Sequence, residues 1–343
     1  MPRPFAPRKS APDRSGGGPS AISRRGFVLG AAAGMTALGL GAAVARADTG
    51  ARVVSERYVG ERLLDLTISS PALAATVPVR LLLPASWTPA PKKTWPVLYL
   101  LHGSGDDYTS WTRSTDVEEL TGHSEMLVVM PSAGRDGFYS DWLNHGAGGP
   151  PRWETFHLTE LREILERSYG AGTVRAIAGL SMGGFGAMSY AGRHPGMFRA
   201  AAAYSGLLHT TYQNARGSSL IQGVLVKDGY DPFALWGDPI LNADVWAAHN
   251  PYMLADRLVG IPLYVACGNG QPGALDPPGA PPDALIEPLC CEESAAFADR
   301  VRALGGSITT ELYGPGTHNW PWWQRDLHHS FPLLAAAIGA ADG

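Results

Sequence analysis

The 343-residue sequence predicts an α/β fold in which a mostly parallel central sheet is covered by helices on both faces. Two observations support this prediction. Short runs rich in Val, Leu and Ala alternate with longer segments of helical periodicity, the order expected when helices join parallel strands. Trp95–Leu101 and Leu127–Met130 are continuous apolar runs, as strands buried on both faces require. The 296 residues that follow an N-terminal leader suffice for one domain with a large core.

The elements follow in chain order. Strands are predicted first at Val53–Val59, Leu63–Ser69 and Val77–Leu83, before the two central runs. Apolar residues at helical spacing predict a helix over Trp153–Tyr169. The later elements are strand Val174–Leu180, helix Gly183–His194, strands Ala200–Tyr204 and Ile261–Ala266, helix Glu292–Leu304, strand Ile308–Tyr313 and helix Trp320–Ile338. Segments 207–250 and 268–288 break this rhythm, and we expect irregular functional loops there.

The first 47 residues predict an export signal. Residues 1–20 are rich in Pro, Arg, Ser and Gly, and we expect them to be disordered. Arg24-Arg25 form a twin-arginine pattern before a weakly apolar run, and Ala45-Arg46-Ala47 supplies small residues for a signal peptidase. We therefore expect one catalytic domain over residues 48–343 and a secreted or cell-envelope location. A membrane anchor is the alternative; no later stretch is long and apolar enough to span a bilayer.

Charge and cysteine content disfavour several classes of partner. Without the leader, 20 Lys and Arg stand against 30 Asp and Glu, which argues against nucleic acid as a partner. The three cysteines, Cys267, Cys290 and Cys291, lack C-x-x-C spacing, so no metal site is expected. Export would permit one disulfide, from Cys267 to Cys290 or Cys291. We expect neither a metal nor a cofactor.

The sharpest motif is Gly179-Leu180-Ser181-Met182-Gly183, which fits the G-x-S-x-G nucleophile elbow. A predicted strand precedes it and a predicted helix follows it, which is the context that the elbow requires. The turn would project the Ser181 hydroxyl above the sheet and aim the helix N-terminus at a developing oxyanion. The sequence therefore predicts an α/β-hydrolase fold with Ser181 as nucleophile. The alternative is an ordinary Ser in a Gly-rich turn.

A serine nucleophile needs a base, and in this fold the chain supplies an acid and then a histidine after the serine. His318 lies between the last predicted strand and the last helix, where the fold delivers its base. The acid should follow strand Ile261–Ala266. Asp276 is favoured as the earliest carboxylate there, with Asp283 and Glu287 as alternatives.

Two backbone N–H groups are expected to hold the oxyanion. Met182, directly after the nucleophile, should supply one. The loop after Trp95–Leu101 should supply the other, from Ser104 or the neighbouring Gly103. His102 is expected to shape this loop rather than to act as a base.

Several further motifs occur in order along the chain. They are Phe-Tyr-Ser-Asp-Trp at 138–142, Trp-Glu-Thr-Phe at 153–156, Cys-Gly-Asn-Gly at 267–270 and Gly-Thr-His-Asn-Trp at 316–320. Together with the elbow, they resemble the secreted mycolyltransferase (antigen 85) family within the esterase D and S-formylglutathione hydrolase group. The similarity runs from about Leu63 to Phe331.

This resemblance implies a Ser–Glu–His triad, an acyl-serine intermediate and transfer of a long acyl chain to trehalose or another hydroxyl. It also implies an apolar acyl channel under the segment that carries Leu220, Ile221, Val224 and Leu225. Three features depart from the family. The position of its triad Glu corresponds to Ala274, two residues before Asp276; loop 102–107 is shorter; and the arginine that helps to hold trehalose has no counterpart there.

We therefore carry over the acyl-serine chemistry and not the trehalose pocket. The expected activity is acyl transfer from an acyl-ester small molecule or lipid to a sugar or glycerol hydroxyl. One alternative is a secreted carboxylesterase that uses water as acceptor. A second alternative is a non-catalytic surface-binding protein on the same fold.

Overall fold

The computed structural model describes residues 50–340, which form one nine-stranded sheet with helices on both faces. The strands are β1 Arg52–Tyr58, β2 Leu63–Ser70, β3 Ala75–Leu82, β4 Trp95–Leu101, β5 Leu127–Pro131, β6 Ala171–Leu180, β7 Ala200–Tyr204, β8 Leu263–Cys267 and β9 Ile308–Leu312. Their order is β1-β2-β3-β5-β4-β6-β7-β8-β9. Strands β4 to β9 are parallel, while β1, β2 and β3 form antiparallel pairs at one edge. The α/β-hydrolase fold is thereby confirmed. The predicted leader lies outside the described residues.

Helices cover this sheet. They are α1 Ser110–Ser114, α2 Val117–Leu120, α3 Trp153–Thr155, α4 Arg162–Ser168, α5 Met182–Arg193, α6 Tyr212–Lys227, α7 Ala243–His249, α8 Ile286–Ala303 and α9 Trp320–Ile338. A π-helical stretch, Phe156–Leu161, joins α3 to α4, and short 3₁₀ turns lie at Asn144–Gly146 and Ala255–Arg257. Within residues 50–340, none of the helices has both the length and the apolar character needed to cross a membrane.

The sheet divides the core into two layers because successive side chains of a strand point to opposite faces. In β4, Val97 and Tyr99 contribute to one apolar cluster, and Leu98 and Leu100 contribute to the other. The first cluster also contains side chains of α4, α5 and α8, and the second contains those of α1, α2 and α9. Since both faces are covered, the central strands are continuously apolar, as the sequence predicted.

Two predicted loops contain helices instead. Segment 207–250 includes α6 and α7, and α8 begins at Ile286, six residues before the predicted start. Helix α8 tolerates Pro288 because the N–H groups of a first helical turn have no intrahelical partner. The carboxylate of Asp283 accepts hydrogen bonds from the N–H groups of Ile286 and Glu287, at 2.9 and 3.0 Å, and caps this helix.

Candidate active site

Ser181 lies in a sharp turn between β6 and α5. Its backbone has φ 52° and ψ −121°, a conformation that non-glycine residues rarely adopt. Its N–H donates to the carbonyl of Tyr204 at 2.8 Å. The flanking glycines make the turn possible: a Cβ on Gly179 would lie 2.3 Å from the Gly183 carbonyl oxygen, and one on Gly183 would lie 2.3 Å from that of Leu101. The structure thus has the strand–turn–helix geometry that the motif predicts.

A cavity of about 400 Å³ opens beside this turn. Ser181, His318 and Ser104 line it together, as do Arg113 and Trp320. The carboxyl ends of β4, β6 and β9 all precede these residues, because parallel strands end at the same edge of a sheet. The cavity therefore contains three of the predicted site residues in one place.

His318 is held by a buried carboxylate. Its Nδ1 lies 2.7 Å from Oε2 of Glu287, whose side chain is 0% exposed. The other oxygen of Glu287 accepts hydrogen bonds from the Gly268 N–H at 2.7 Å and from the Ser205 hydroxyl at 2.9 Å. The ring of Trp323 packs edge-on against the imidazole, with centroids 4.9 Å apart. These contacts fix the orientation of His318 and leave the buried carboxylate fully hydrogen-bonded.

The preference for Asp276 as the acid partner of His318 was therefore wrong, and Glu287, one of the two alternatives, takes this place. Asp276 instead accepts hydrogen bonds from the Trp322 indole at 2.9 Å, the Gly273 N–H at 2.8 Å and the Thr317 hydroxyl. Burial opposes the ionisation of Asp276, but these donors outweigh it and lower its pKa. The carboxylate of Asp276 thus braces the loop that carries His318. The assignment of Ala274 to the family's glutamate position fails for the same reason.

Glu287 could have been found from the sequence by one signal. It lies among the apolar residues Ile286, Leu289 and Cys290, at the start of a helix, with Asp283 four residues before it as a cap. A carboxylate in an apolar stretch needs a partner, and His318 is that partner. The Pro- and Gly-rich stretch before it obscured the helix start.

The candidate oxyanion donors flank Ser181. Met182 is the first residue of α5, and Ser104 lines the same cavity as Ser181. The loop passes close to the nucleophile, since a Cβ on Gly103 would lie 3.4 Å from that of Ser181. His102 is buried, which lowers its pKa; its Nδ1 lies 2.8 Å from the Gly103 carbonyl oxygen, and its Nε2 accepts from the Ala133 N–H at 2.9 Å. One neutral tautomer satisfies both contacts, so His102 shapes the loop.

The four predicted channel residues lie on α6 and divide between two environments. Leu220 and Val224 line a second cavity, of about 660 Å³, together with Leu285 and Leu289 from the start of α8. Ile221 and Leu225 point the other way and are fully buried in the core. Two of the four therefore face a space that could hold an acyl chain.

The cysteines form no disulfide. Cys267 and Cys290 are buried free thiols, and Cys291 is a partly buried one, so the suggested pairing was wrong. The thiol of Cys267 instead lies 3.3 Å from Oε1 of Glu287. Among residues 50–340, no group of His, Cys, Asp and Glu side chains is arranged to hold a metal ion.

Comparison with known proteins gives one family and a set of relatives. A family model described as "Putative esterase" matches residues 70–334. The diacylglycerol acyltransferase/mycolyltransferase Ag85B of Mycobacterium intracellulare is 34% identical over 263 residues, which cover 72% of this chain and 77% of that protein. The Ag85A protein of Mycobacterium tuberculosis, of the same description, is 34% identical over 260 residues, covering 71% and 74%.

Solved structures share the fold. MPT51 (FbpC1) of Mycobacterium tuberculosis superposes with a TM-score of 0.62 at 25% identity, over 79% of this chain and 96% of that one. An S-formylglutathione hydrolase from Agrobacterium tumefaciens, 15% identical, gives a TM-score of 0.60 over 84% and 99%. At that identity, the second likeness concerns the fold alone.

Proposed function

The chain belongs to the esterase family, and on that premise we propose that Ser181, His318 and Glu287 form the catalytic triad of an acyltransferase. Membership of this family makes the protein an enzyme of acyl transfer or ester hydrolysis. The observation that carries the proposal is the 2.7 Å contact between His318 Nδ1 and the fully buried Glu287 carboxylate, beside a serine in an elbow turn.

The chemistry follows from these positions. His318 takes the proton of the Ser181 hydroxyl as its oxygen attacks the ester carbonyl. The N–H groups of Met182 and Ser104 receive the oxyanion, and His318 then protonates the leaving alcohol. In the second half, an acceptor hydroxyl loses its proton to His318 and attacks the acyl carbon. The bond from that carbon to Ser181 Oγ then breaks, and His318 returns the proton to the serine. Glu287 keeps the Nδ1–H tautomer and stabilises the imidazolium.

A hydroxyl acceptor is favoured over water by the lining of the cavity. Arg113, on α1, donates to the Asp106 carboxylate at 2.5 Å and to the Thr109 hydroxyl at 2.9 Å, and the Trp320 ring lies in the same cavity. Charged hydrogen-bonding groups beside an indole suit a sugar or glycerol better than a bare acyl ester. The names of the relatives, which are acyltransferases, support the same acceptor class.

The acyl chain of the donor would lie along α6. Leu220 and Val224, with Leu285 and Leu289, give an apolar cavity next to the helix that carries Glu287. Ile221 and Leu225 would support this wall from the core side rather than contact the chain.

Export by a twin-arginine signal, to the cell envelope or out of the cell, is part of the proposal. Arg24-Arg25 and Ala45-Arg46-Ala47 support a twin-arginine signal. Fractionation of cells that express the full chain would test it: Arg24→Lys/Arg25→Lys should retain the protein inside the cell.

The experiment that tests the proposed activity is product partition. Protein lacking the leader is given a long-chain acyl ester with and without trehalose or glycerol, and free acid and acylated acceptor are separated. We expect acylated acceptor, and its loss in Ser181→Ala. If only free acid forms, and the rate of its formation does not change when the alcohol is added, the enzyme is a carboxylesterase. If a fluorophosphonate does not label the wild-type protein, the protein is a non-catalytic binding protein.

A further inference from the structure

The apolar cavity of about 660 Å³ is a groove between α6 and the start of α8. Leu220 and Val224 of α6 and Leu289 of α8 give it apolar walls. Leu285, just before α8, also lines it and is 67% exposed. The groove, called here the α6–α8 groove, therefore opens to solvent.

One end of this groove lies on the side of Ser181. Asp228, which follows the last residue of α6, forms an ion pair with Arg135 at 2.9 Å. The Arg135 carbonyl in turn accepts a hydrogen bond from the Gly105 N–H at 2.9 Å. Gly105 and Ser104 line the cavity that contains Ser181. The C-terminal end of α6 is thus joined to the candidate oxyanion loop by direct contacts.

Helix α8 runs in the opposite direction along the groove. It begins at Ile286, and its second residue, Glu287, contacts His318. Further along α8, Glu292 forms an ion pair at 2.6 Å with Arg216, which lies near the start of α6. The start of α8 and the end of α6 are therefore near the catalytic centre, and the pair of Arg216 and Glu292 marks the far end of the groove.

The ion pair closes this far end. Arg216 lines the groove, and its Nη1 donates to Glu292 on the opposite wall at 2.6 Å and to the Gln213 amide oxygen at 2.7 Å. The guanidinium thus reaches from one wall to the other. The turn that carries it is strained, because Gln213 and Ala215 have φ values of 43° and 108°, in the region that favours glycine. Such strain clusters at functional sites.

Gly223 leaves the middle of the groove open. It lines the groove between Leu220 and Lys227, and a Cβ at this position would meet no atom within 4 Å. Packing therefore does not require a glycine there, although glycine within a helix is less favourable than alanine. By contrast, a Cβ on Gly217 would lie 2.7 Å from the His209 carbonyl oxygen. What glycine provides at position 223 is unobstructed space along the groove.

The helix gives the length of the groove. A rise of 1.5 Å per residue separates Lys227 from Gly223 by ~6 Å and from Arg216 by ~16 Å. An extended chain advances ~1.2 Å per bond. An acyl chain that enters beside Lys227 therefore reaches Gly223 after ~5 bonds and Arg216 after ~13 bonds. Both are lower limits, because the path from Ser181 to Lys227 adds to them.

We propose that the α6–α8 groove selects the acyl donor by chain length, with Gly223 as the residue that lets a long chain pass and Arg216, held by Glu292, as the residue that stops it. The inference rests on the proposed function, because the groove receives a chain only if Ser181 receives the acyl group. The donor class is an ester whose acyl chain has roughly 14 carbons or more, the least that fills the groove.

A bulky side chain at position 223 should shorten the groove. We expect Gly223→Phe to keep the wild-type kcat/KM for p-nitrophenyl butyrate, whose chain is too short to reach it. For the dodecanoate and the octadecanoate, kcat/KM should fall about 10- to 100-fold, because each buried methylene group contributes roughly a factor of four in affinity. The control is Val226→Phe, which adds the same ring on α6 outside the groove, at a residue that is 57% exposed.

Removal of the ion pair should lengthen the groove. We expect Arg216→Ala to raise the ratio of kcat/KM for the octadecanoate to that for the dodecanoate about tenfold, since only the longer chain passes position 216. The control is Arg302→Ala on α8. Arg302 and Arg216 are both 47% exposed and ion-paired, but Arg302 lies outside the groove. Comparison of each variant with its control cancels differences in ester solubility.

The outcomes separate the inference from the proposed function. If the wild type turns over the esters and Gly223→Phe has the chain-length profile of Val226→Phe, the inference is wrong and the proposed function stands. A ratio in Arg216→Ala no higher than in Arg302→Ala would likewise contradict the stop at Arg216. If Gly223→Phe does not fold by circular dichroism, Ser219→Phe, at another exposed position of the groove, replaces it. A wild type with neither turnover nor fluorophosphonate labelling would overturn the proposed function and this inference with it.

Discussion

The imidazole of His318 has two sides with different surroundings. Its Nδ1 faces Glu287, which is 0% exposed, while the ring borders the cavity that contains Ser181. A buried carboxylate is costly unless donors surround it, and Glu287 receives hydrogen bonds from Gly268, Ser205 and Cys267 besides its contact with His318. The carboxylate is therefore preorganised before substrate arrives, which is what orientation of a catalytic base requires.

Replacement of Glu287, which contacts His318, and of Asp276, which contacts the loop that carries His318, should separate the roles of the two carboxylates. Glu287→Gln keeps the shape but offers an amide to Nδ1, so we expect kcat to fall by about 10²- to 10⁴-fold with a small change in KM. Asp276→Asn should keep kcat near the wild-type value, because Asp276 braces the loop and does not contact the imidazole. Steady-state kinetics on a soluble acyl ester measure both. A larger loss in Asp276→Asn than in Glu287→Gln would restore Asp276 as the acid.

Arg113 should affect the choice of acceptor rather than acyl-enzyme formation. Its guanidinium lines the Ser181 cavity but is anchored to Asp106. We expect Arg113→Ala to lower the ratio of acyl transfer to hydrolysis about tenfold, the effect of ~1.4 kcal/mol of lost acceptor binding, and to leave hydrolysis unchanged. Product partition with glycerol or trehalose measures the ratio. Arg167→Ala, an exposed change on α4, is the control; equal ratios in the two variants would contradict the role of Arg113.

Residue positions could be predicted to different degrees. The elbow and His318 were identifiable because both are fixed by neighbours in the sequence: glycines on either side of Ser181, and a loop between the last strand and helix for His318. The partner of His318 was not identified, because Asp276, Asp283 and Glu287 all follow the same strand and the Pro- and Gly-rich stretch before Glu287 obscured the start of its helix. The apolar neighbours of Glu287 were the one available signal, and its burial in the folded chain decides the choice.

At the scale of elements, strands were easier to predict than the helices of the irregular segment. Strands β4 and β5 are buried on both faces and so are apolar throughout. Helix α6 contains Gly217, Ser218, Ser219 and Gly223, which lower helix propensity. For that reason the sequence predicted an irregular loop there, although the apolar residues have helical spacing. Packing against the core, through Ile221 and Leu225, stabilises the helix instead.

The two glycines of α6 should respond oppositely to alanine. A Cβ on Gly217 would lie 2.7 Å from the His209 carbonyl oxygen, whereas one on Gly223 meets no atom within 4 Å. Both substitutions gain the same helix propensity, so their difference reports the steric contact. We expect Gly223→Ala to raise the free energy of unfolding by ~0.5–1 kcal/mol and Gly217→Ala to lower it by ~1–3 kcal/mol. Urea unfolding measures both; equal effects would mean that α6 does not pack as described.

At the scale of the whole molecule, buried carboxyl groups are of two kinds. In the first kind, hydrogen bonds to charged partners outweigh the cost of burial. Burial opposes the ionisation of Glu154, but Arg193 and His194, which hydrogen-bond to its carboxylate, lower its pKa. In the second, donors are too few, as for Asp136 and Glu293. The sequence predicts neither kind, since charged residues are exposed by default. A lowered pKa of the first kind makes the free energy of unfolding fall as the pH drops, whereas a raised pKa of the second kind makes it fall as the pH rises.

Glu293, on α8, gives the clearest case. Its Oε2 accepts from the His209 N–H at 3.0 Å, but Oε1 is buried without a donor, and burial raises its pKa to about 8. The native state thus keeps this proton to a higher pH than the unfolded chain does. Unfolding releases the proton between the ordinary pKa of Glu and pH 8, so the free energy of unfolding falls as pH rises through this range.

Glu293 should contribute most of the pH dependence between pH 7 and 8. Burial lowers the pKa values of His157 and His249 to about 3 and about 4, so these groups change the stability mainly below pH 7, and Asp136 titrates at about 6. Asp326, whose pKa burial raises to about 7, adds a smaller change in the same direction. We expect urea unfolding of the wild type to lose up to ~1.4 kcal/mol between pH 7 and pH 8, and Glu293→Gln to lose much less, because an amide has no proton to release. Asp299→Asn, a change of an exposed carboxylate on the same helix, should keep the wild-type slope. Parallel slopes for all three proteins would mean that Glu293 is ionised in the native state at neutral pH, and that the contact between α8 and the His209 backbone carries a buried charge.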